Sequence, residues 1–162
     1  MPDAPDQIVT PTDDSVADYW SEFVAATGVT GEPLDVWAFG DTPALADKLA
    51  ELVLTGPKRA TAGLLADFEH DEEPLPVVGG HNVVHWGDGR PAMILATTDV
   101  RVGPLSSVDA QFAWDEGEGD RSLEWWLATH EAFFRRRCED LGIAFDPDIA
   151  VVFERFDLVW PR

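Results

Sequence analysis

WAFGDTPALADKLAELVLTGPKRATAG, residues 37–63, decides the reading of this chain. It opens on the end of a short strand, Asp35 to Phe39, which Gly40 breaks. Asp41 or Thr42 can cap a helix whose first turn holds Pro43, a residue tolerated there because that N–H has no helical partner. Leu45, Leu49, Leu52 and Val53 recur at helical spacing and form its core face, and Gly56 ends it. The chain then turns through Pro57, Lys58 and Arg59 and reads as extended from about Arg59 to Phe68. A Lys and a Thr three apart, on a tight turn entering a sheet, can point into one cleft. There a desolvated amine loses its proton more readily and acts as a base toward a hydroxyl, or stays charged and binds phosphate.

Outward from this stretch, helices and strands do not alternate as βαβ units. The class predicted is α+β with a mostly antiparallel sheet. A helix starts near Thr12, with Val16, Tyr19, Trp20, Phe23 and Val24 at helical spacing and Gly28 just past its end. Residues 1–11, rich in Pro and Asp, read as a disordered tail, and residues 12–162 as one domain. Val83 to Trp86 and Ala92 to Val102 read as strands joined by a Gly87-Asp88-Gly89 hairpin turn. A short helix is expected from Ser107 to Phe112, the clearest helix from Ser122 to Leu141, and a final strand from Ile149 to Trp160.

Composition narrows the function classes. The chain has 162 residues, 45% hydrophobic, with seven Trp, and so can fold around a core of its own. Asp and Glu number 31 against 11 Lys and Arg, a net charge of −20, which works against non-specific binding to polyanions. Lys58, Arg59, Arg135, Arg136 and Arg137 supply five of those cations, so a local positive patch inside a negative envelope is possible. Cys138 alone makes no internal disulfide and reads as a buried inert thiol. No leader or membrane span is legible, and the expected compartment is the cytoplasm.

The second informative stretch is FAWDEGEGDRSLEWW, residues 112–126. Asp115, Glu116, Glu118 and Asp120 crowd into six positions with Gly117 and Gly119 between them. Carboxylates so close repel; some bind protons more tightly or recruit a cation. Glu116, Glu118 and Asp120 are the candidate ligands of a divalent metal, Mn or Mg, and no organic cofactor is indicated. Asp120 and Ser122 have a simpler reading as helix caps. His130 falls on the apolar face of the long helix and reads as a satisfied core histidine before a catalytic one. His81 and His85, four apart on a strand, would stand about 13 Å apart, too far for one ion. Trp114 and Trp125 flank the acidic loop, where their rings can stack on a base.

GPKRATAG resembles the Gly-x-Lys motif of the ASCH domain. The whole pattern, with FAWDEGEGDRSLEWWLATHEAFF and the final strand VVFERFDLVW, resembles the larger bacterial branch of that family over about residues 35–160. The resemblance implies a PUA-like β-barrel with flanking helices and a role in RNA metabolism. Some similar bacterial members are ribonucleases that use divalent metal. Others remove the acetyl group from N4-acetylcytidine with a Lys, a Thr three residues on and a downstream Glu. These fall here on Lys58, Thr61 and Glu116, or Glu118. Many members carry Glu where this chain has Thr61, and Arg where it has Gly63.

The reading that results is an RNA-directed hydrolase acting on RNA or a nucleoside, first of all a divalent-metal-assisted ribonuclease on single-stranded RNA. Amidohydrolase and non-catalytic binding module are the alternatives. Lys58, Thr61, Glu116 and Ser122 are the candidate catalytic residues. Trp37, Phe39, Arg59, Trp114, Glu118, Arg121 and Trp125 are the candidate substrate contacts. No membrane or protein partner is indicated.

Overall fold

The computed structural model describes residues 6–162. Of the tail expected over residues 1–11, residues 1–5 lie outside the described residues. Residues 6–11 form neither helix nor strand, and the Val9 N–H donates to the Gly87 carbonyl at 2.9 Å. The elements run α1 (Asp13–Thr27), β1 (Asp35–Trp37), α2 (Pro43–Leu54), β2 (Ala60–Leu64), α3 (Leu65–His70), β3 (His81–His85) and β4 (Pro91–Pro104). A 3₁₀ turn (Leu105–Ser107), α4 (Ala110–Glu116), α5 (Leu123–Leu141) and β5 (Ala150–Trp160) follow. The class is α+β, with a five-stranded sheet in the order β1-β3-β4-β5-β2. β1 pairs parallel with β3, whereas β3–β4 and β2–β5 are antiparallel. Among the described residues no helix is long and apolar enough to cross a membrane.

The capping signals act as expected. The hydroxyls of Thr12, Thr42 and Ser122 accept N–H groups of the first turns of α1, α2 and α5, and Gly28 and Gly142 close α1 and α5 in left-handed conformation. Two elements differ. The extended run predicted to Phe68 stops at Leu64, and Leu65–His70 is helical. Asp67 thereby turns toward α5 and pairs with the Arg137 guanidinium at 2.6 Å, a tertiary contact that local pattern does not encode. The helix predicted from Ser107 begins instead after Asp109, whose carboxylate accepts the Phe112 N–H, and runs on through Asp115 and Glu116. Two of the four carboxylates of the presumed acidic loop, Asp115 and Glu116, therefore lie in the last turn of α4.

The chain forms two compact units. One contains residues up to Gly56, Gly79–Ala96 and Asp157–Arg162; the other contains Pro57–Val78 and Thr97–Phe156. In the first, Trp20 and Phe23 of α1 pack with Val83 and Ile94. In the second, Phe112, Trp126, Phe134 and Phe153 pack with Ala60 and Leu64 of β2. Burying each such large side chain contributes about 1.5–3 kcal/mol. Cys138 lies in this second core, buried as read.

Candidate functional site

The second unit holds a cluster of buried charges. Lys58 stands just before β2, where the Arg59 N–H donates to Asp115 O at 2.8 Å and the Phe156 N–H to Arg59 O at 3.1 Å. These bonds tie the turn to α4 on one side and β5 on the other. The Lys58 ammonium donates to Ala60 O at 2.8 Å and faces Glu116 Oε1 at 3.2 Å and Glu118 Oε2 at 3.1 Å. Lys58 and Glu116 are each only 1% exposed.

Gly117 is what lets these residues meet. It takes φ +69°, and a Cβ on it would stand 2.8 Å from the Lys58 backbone nitrogen. Only glycine offers both that conformation and that approach.

Glu116 has two further partners, both on α5. The Trp126 indole N–H donates to its Oε2, and His130 Nε2 lies 3.2 Å from the same oxygen. His130 stacks on the Trp126 ring, with centroids 3.9 Å apart, and its Nδ1 is 2.9 Å from the Trp126 carbonyl. A carbonyl only accepts, so Nδ1 carries a proton. Nε2 faces the Glu116 carboxylate, which favours a second proton there.

The electrostatics agree. For Lys58, burial alone would lower the amine, but Glu116 and then Glu118 reverse this and hold it above the ordinary lysine value. For His130, burial also pulls down, and Glu116 outweighs it. Glu116 would be raised by burial; His130 and then Lys58 drive it well below the usual carboxylate range. Glu118 ends above that range, because burial and the neighbouring Glu116 outweigh Lys58. The cluster thus holds Glu116 low and Glu118 high, with Lys58 and His130 both pushed toward their charged forms. Glu118 is also its most open member, with its side chain 12% exposed.

Glu116, Glu118 and His130 each offer a ligand atom, all within 4.8 Å of one another, so this donor set can hold a metal ion. The Lys58 ammonium already stands against both carboxyl groups of this set, so a divalent ion would share the space with it and would need His130 Nε2 without a proton. Asp120, the third ligand read from the sequence, is not in this set. Its carboxylate accepts the Ser122 N–H at 2.9 Å.

The remaining candidates fall as follows. Ser122 caps α5, its Oγ accepting the Trp125 N–H at 3.1 Å. The Arg59 guanidinium donates to Lys58 O at 2.6 Å. Trp114 is half exposed and carries the Arg121 guanidinium 3.7 Å above its ring. Arg121 is held there by its Nε–H to Trp114 O at 2.9 Å, in left-handed conformation at φ 66°. Trp125 backs the loop at Gly119, where a Cβ would overlap its ring. Thr61 stands opposite Glu154 in the β2–β5 ladder. Trp37 and Phe39 belong to the first unit, ring against ring at 4.8 Å. His130, read from the sequence as a satisfied core histidine, is buried with partners at both ring nitrogens and also joins the donor set. The available signal was its position four residues after Trp126 on one helix face, beside an acidic stretch in need of cations.

The model described as the ASCH domain matches residues 35–160. A crystal structure of a protein from Enterococcus faecalis is 30% identical, with a TM-score of 0.83 over 91% of this chain and 90% of that one. A crystal structure of an ASCH domain from Lactobacillus crispatus is 32% identical, with a TM-score of 0.81 over 94% and 98% of the two chains. No curated protein matches.

Proposed function

The chain belongs to the ASCH domain family, and from that premise we propose that it is an RNA-directed hydrolase that cleaves single-stranded RNA with its own acid–base groups, on a PUA-like scaffold. The observation that carries this reading is the buried Lys58–Glu116–His130 charge set with Glu118 at its open side. Buried ion pairs are poor sources of stability, because desolvation offsets their attraction. A set of four in one small unit is better explained by chemistry, and perturbed carboxyls cluster where proton transfer is done.

In this reading Glu118 takes the proton of the attacking 2′-hydroxyl as its oxygen bonds to phosphorus, and returns it to the 5′-oxygen as the bond from phosphorus to that oxygen breaks; water then opens the 2′,3′-cyclic phosphate. A carboxyl raised toward neutrality is the more effective base for this. Glu116 holds Lys58 and His130, and these two cations steady the negative charge that Glu118 releases and regains. Trp114, in the last turn of α4, and Arg121, in the loop that follows, offer a stacking ring beside a cation for the strand. A hard divalent ion such as Mn or Mg would enlarge the positive charge here, but the chain's own cations make the step possible without it.

The amidohydrolase reading draws on the same Lys58–Glu116 pair, yet needs Lys58 to accept a proton from Thr61. An ammonium held above its ordinary value is a poor acceptor. The test is labelled single-stranded RNA with Mn²⁺, with Mg²⁺ and with EDTA, alongside N4-acetylcytidine. RNA products that persist in EDTA and fall about 10²–10⁴-fold in Glu118→Gln are expected. Acetate release abolished by Thr61→Ala, with intact RNA, would replace this reading by the amidohydrolase one.

A further inference from the structure

The opposite face of β2 carries polar groups that the charge cluster does not use. Ala60, Ala62 and Leu64 face the core with Val151 and Phe153. Side chains alternate along a strand and directly opposed residues share a face, so Thr61, Gly63 and Glu154 occupy the reverse side. Glu154 is 6% exposed, and its Oε1 accepts the Thr97 hydroxyl at 2.7 Å. Among the described residues its Oε2 has no hydrogen-bond partner. Since no deeply buried side-chain polar atom lacks a partner, Oε2 opens onto space that solvent reaches. The Thr61 hydroxyl likewise has no partner among the described residues. An aromatic ring lies on the same face two residues along β2: a Cβ on Gly63 would meet the ring of half-buried Phe68 at 3.2 Å.

We propose that this face is a nucleobase subsite, in which the base lies against Phe68, an amino N–H donates to Glu154 Oε2, and the Thr61 hydroxyl bonds a neighbouring ring acceptor. A carboxyl buried without a cation gains from any donor that replaces water, and its burial indeed raises it above the ordinary range. Phosphate is excluded by the same negative charge, so the site takes the uncharged end of a nucleotide. Guanine, cytosine and adenine carry an exocyclic amino group; uracil does not, and its one donor on that edge, the ring N3–H, is flanked by two carbonyls that would crowd the carboxyl. Gly63 is part of the device, because any side chain there would compete for the space beside the ring.

The inference rests on the nucleic-acid reading only for the class of ligand. Its test is a calorimetric or NMR titration of the full chain with guanosine, cytidine, adenosine and uridine, and with ethylammonium as the organic cation that would also suit a carboxyl beside a ring. Saturable binding of an amino-bearing nucleoside, tighter than uridine, is expected. In Glu154→Gln the Thr97 hydroxyl holds the amide oxygen in the Oε1 place and an NH₂ takes the Oε2 place. Amino-bearing nucleosides should then weaken at least tenfold while uridine gains. Phe68→Leu should weaken all of them roughly tenfold, as loss of a stacking ring does. Both variants should melt cooperatively. No saturable nucleoside binding, an order of preference unchanged in Glu154→Gln, or binding of ethylammonium alone would overturn the subsite. Nucleoside binding without RNA cleavage would leave the subsite standing and remove the hydrolase; cleavage without nucleoside binding would do the reverse.

Discussion

Lys58 is one of two lysines in the chain, and the other, Lys48, belongs to the first unit. A residue used so sparingly, buried to 1% exposure, has a role set by what removing it would leave behind. Lys58→Met strands the Glu116 and Glu118 carboxyls with less compensation, and breaking a buried pair from one side costs about 3–5 kcal/mol. Urea unfolding of Lys58→Met should register a loss of that size. The double variant Lys58→Met/Glu116→Gln should recover part of it, and strictly additive losses would mean that the two groups do not interact. His130 gives the pH-dependent counterpart. Its folded value lies above the ordinary 6.5, so its stabilisation is complete below 6.5 and disappears as pH rises through the folded value. Glu116, held low, acts at the other end: its contribution is present above 4.5 and is lost as pH falls toward its folded value. Glu118 and Glu154, held high, weaken the fold as pH climbs past 4.5. The difference between wild type and His130→Gln isolates the histidine. Their stability curves should converge as pH rises above 6.5, and a constant gap would remove the imidazolium.

At the scale of elements, the site depends on how α4 ends and α5 begins. Gly117 closes α4 in left-handed conformation and Ser122 caps α5. Ser122→Ala should cost about 1 kcal/mol, as lost caps do, with RNA cleavage kept. A loss of cleavage far beyond the loss of folded protein would restore Ser122 to the catalytic set. The caps were legible because each rests on one side chain and the backbone next to it: Thr12, Thr42, Ser122, Gly28 and Gly142 all act where the pattern put them. The meeting of Lys58 with the acidic bend was also legible, through motif order and resemblance. What escaped was set by partners distant in sequence. Leu65–His70 is helical with Asp67 held by Arg137, 70 residues on. α4 swallows Glu116 because Asp109 caps it, and His130 is pushed toward its charged form because Glu116 arrives from another helix. Thr61 and Lys58 are three apart in sequence, yet the two-residue period of β2 assigns Thr61 to the face of Glu154.

For the whole molecule the governing quantity is a net charge of −20. Part of the local positive patch that the sequence allowed is spent inside the chain, while Arg135 and Arg136 stay exposed. Lys58 is buried between carboxyls, Arg137 is paired with Asp67 and Asp140, and Arg135 lies near Glu131. RNA therefore approaches against a repulsive field, and only the contact itself is attractive. Proteins that grip phosphate through many cations lose affinity as salt rises, because counterions compete. Here the long-range term has the opposite sign. Added salt shortens the screening length from about 10 Å at 0.1 M to about 3 Å at 1 M and weakens the repulsion. The expected result is a kcat/KM for RNA that rises severalfold from low to moderate salt, while binding of an uncharged nucleoside stays flat over the same range. The contrast matters because a general effect of salt on the fold would move both. A kcat/KM that falls steeply with salt would instead reveal a cationic RNA path on this surface, and the acid–base cluster would no longer be the chief determinant of how the strand is held.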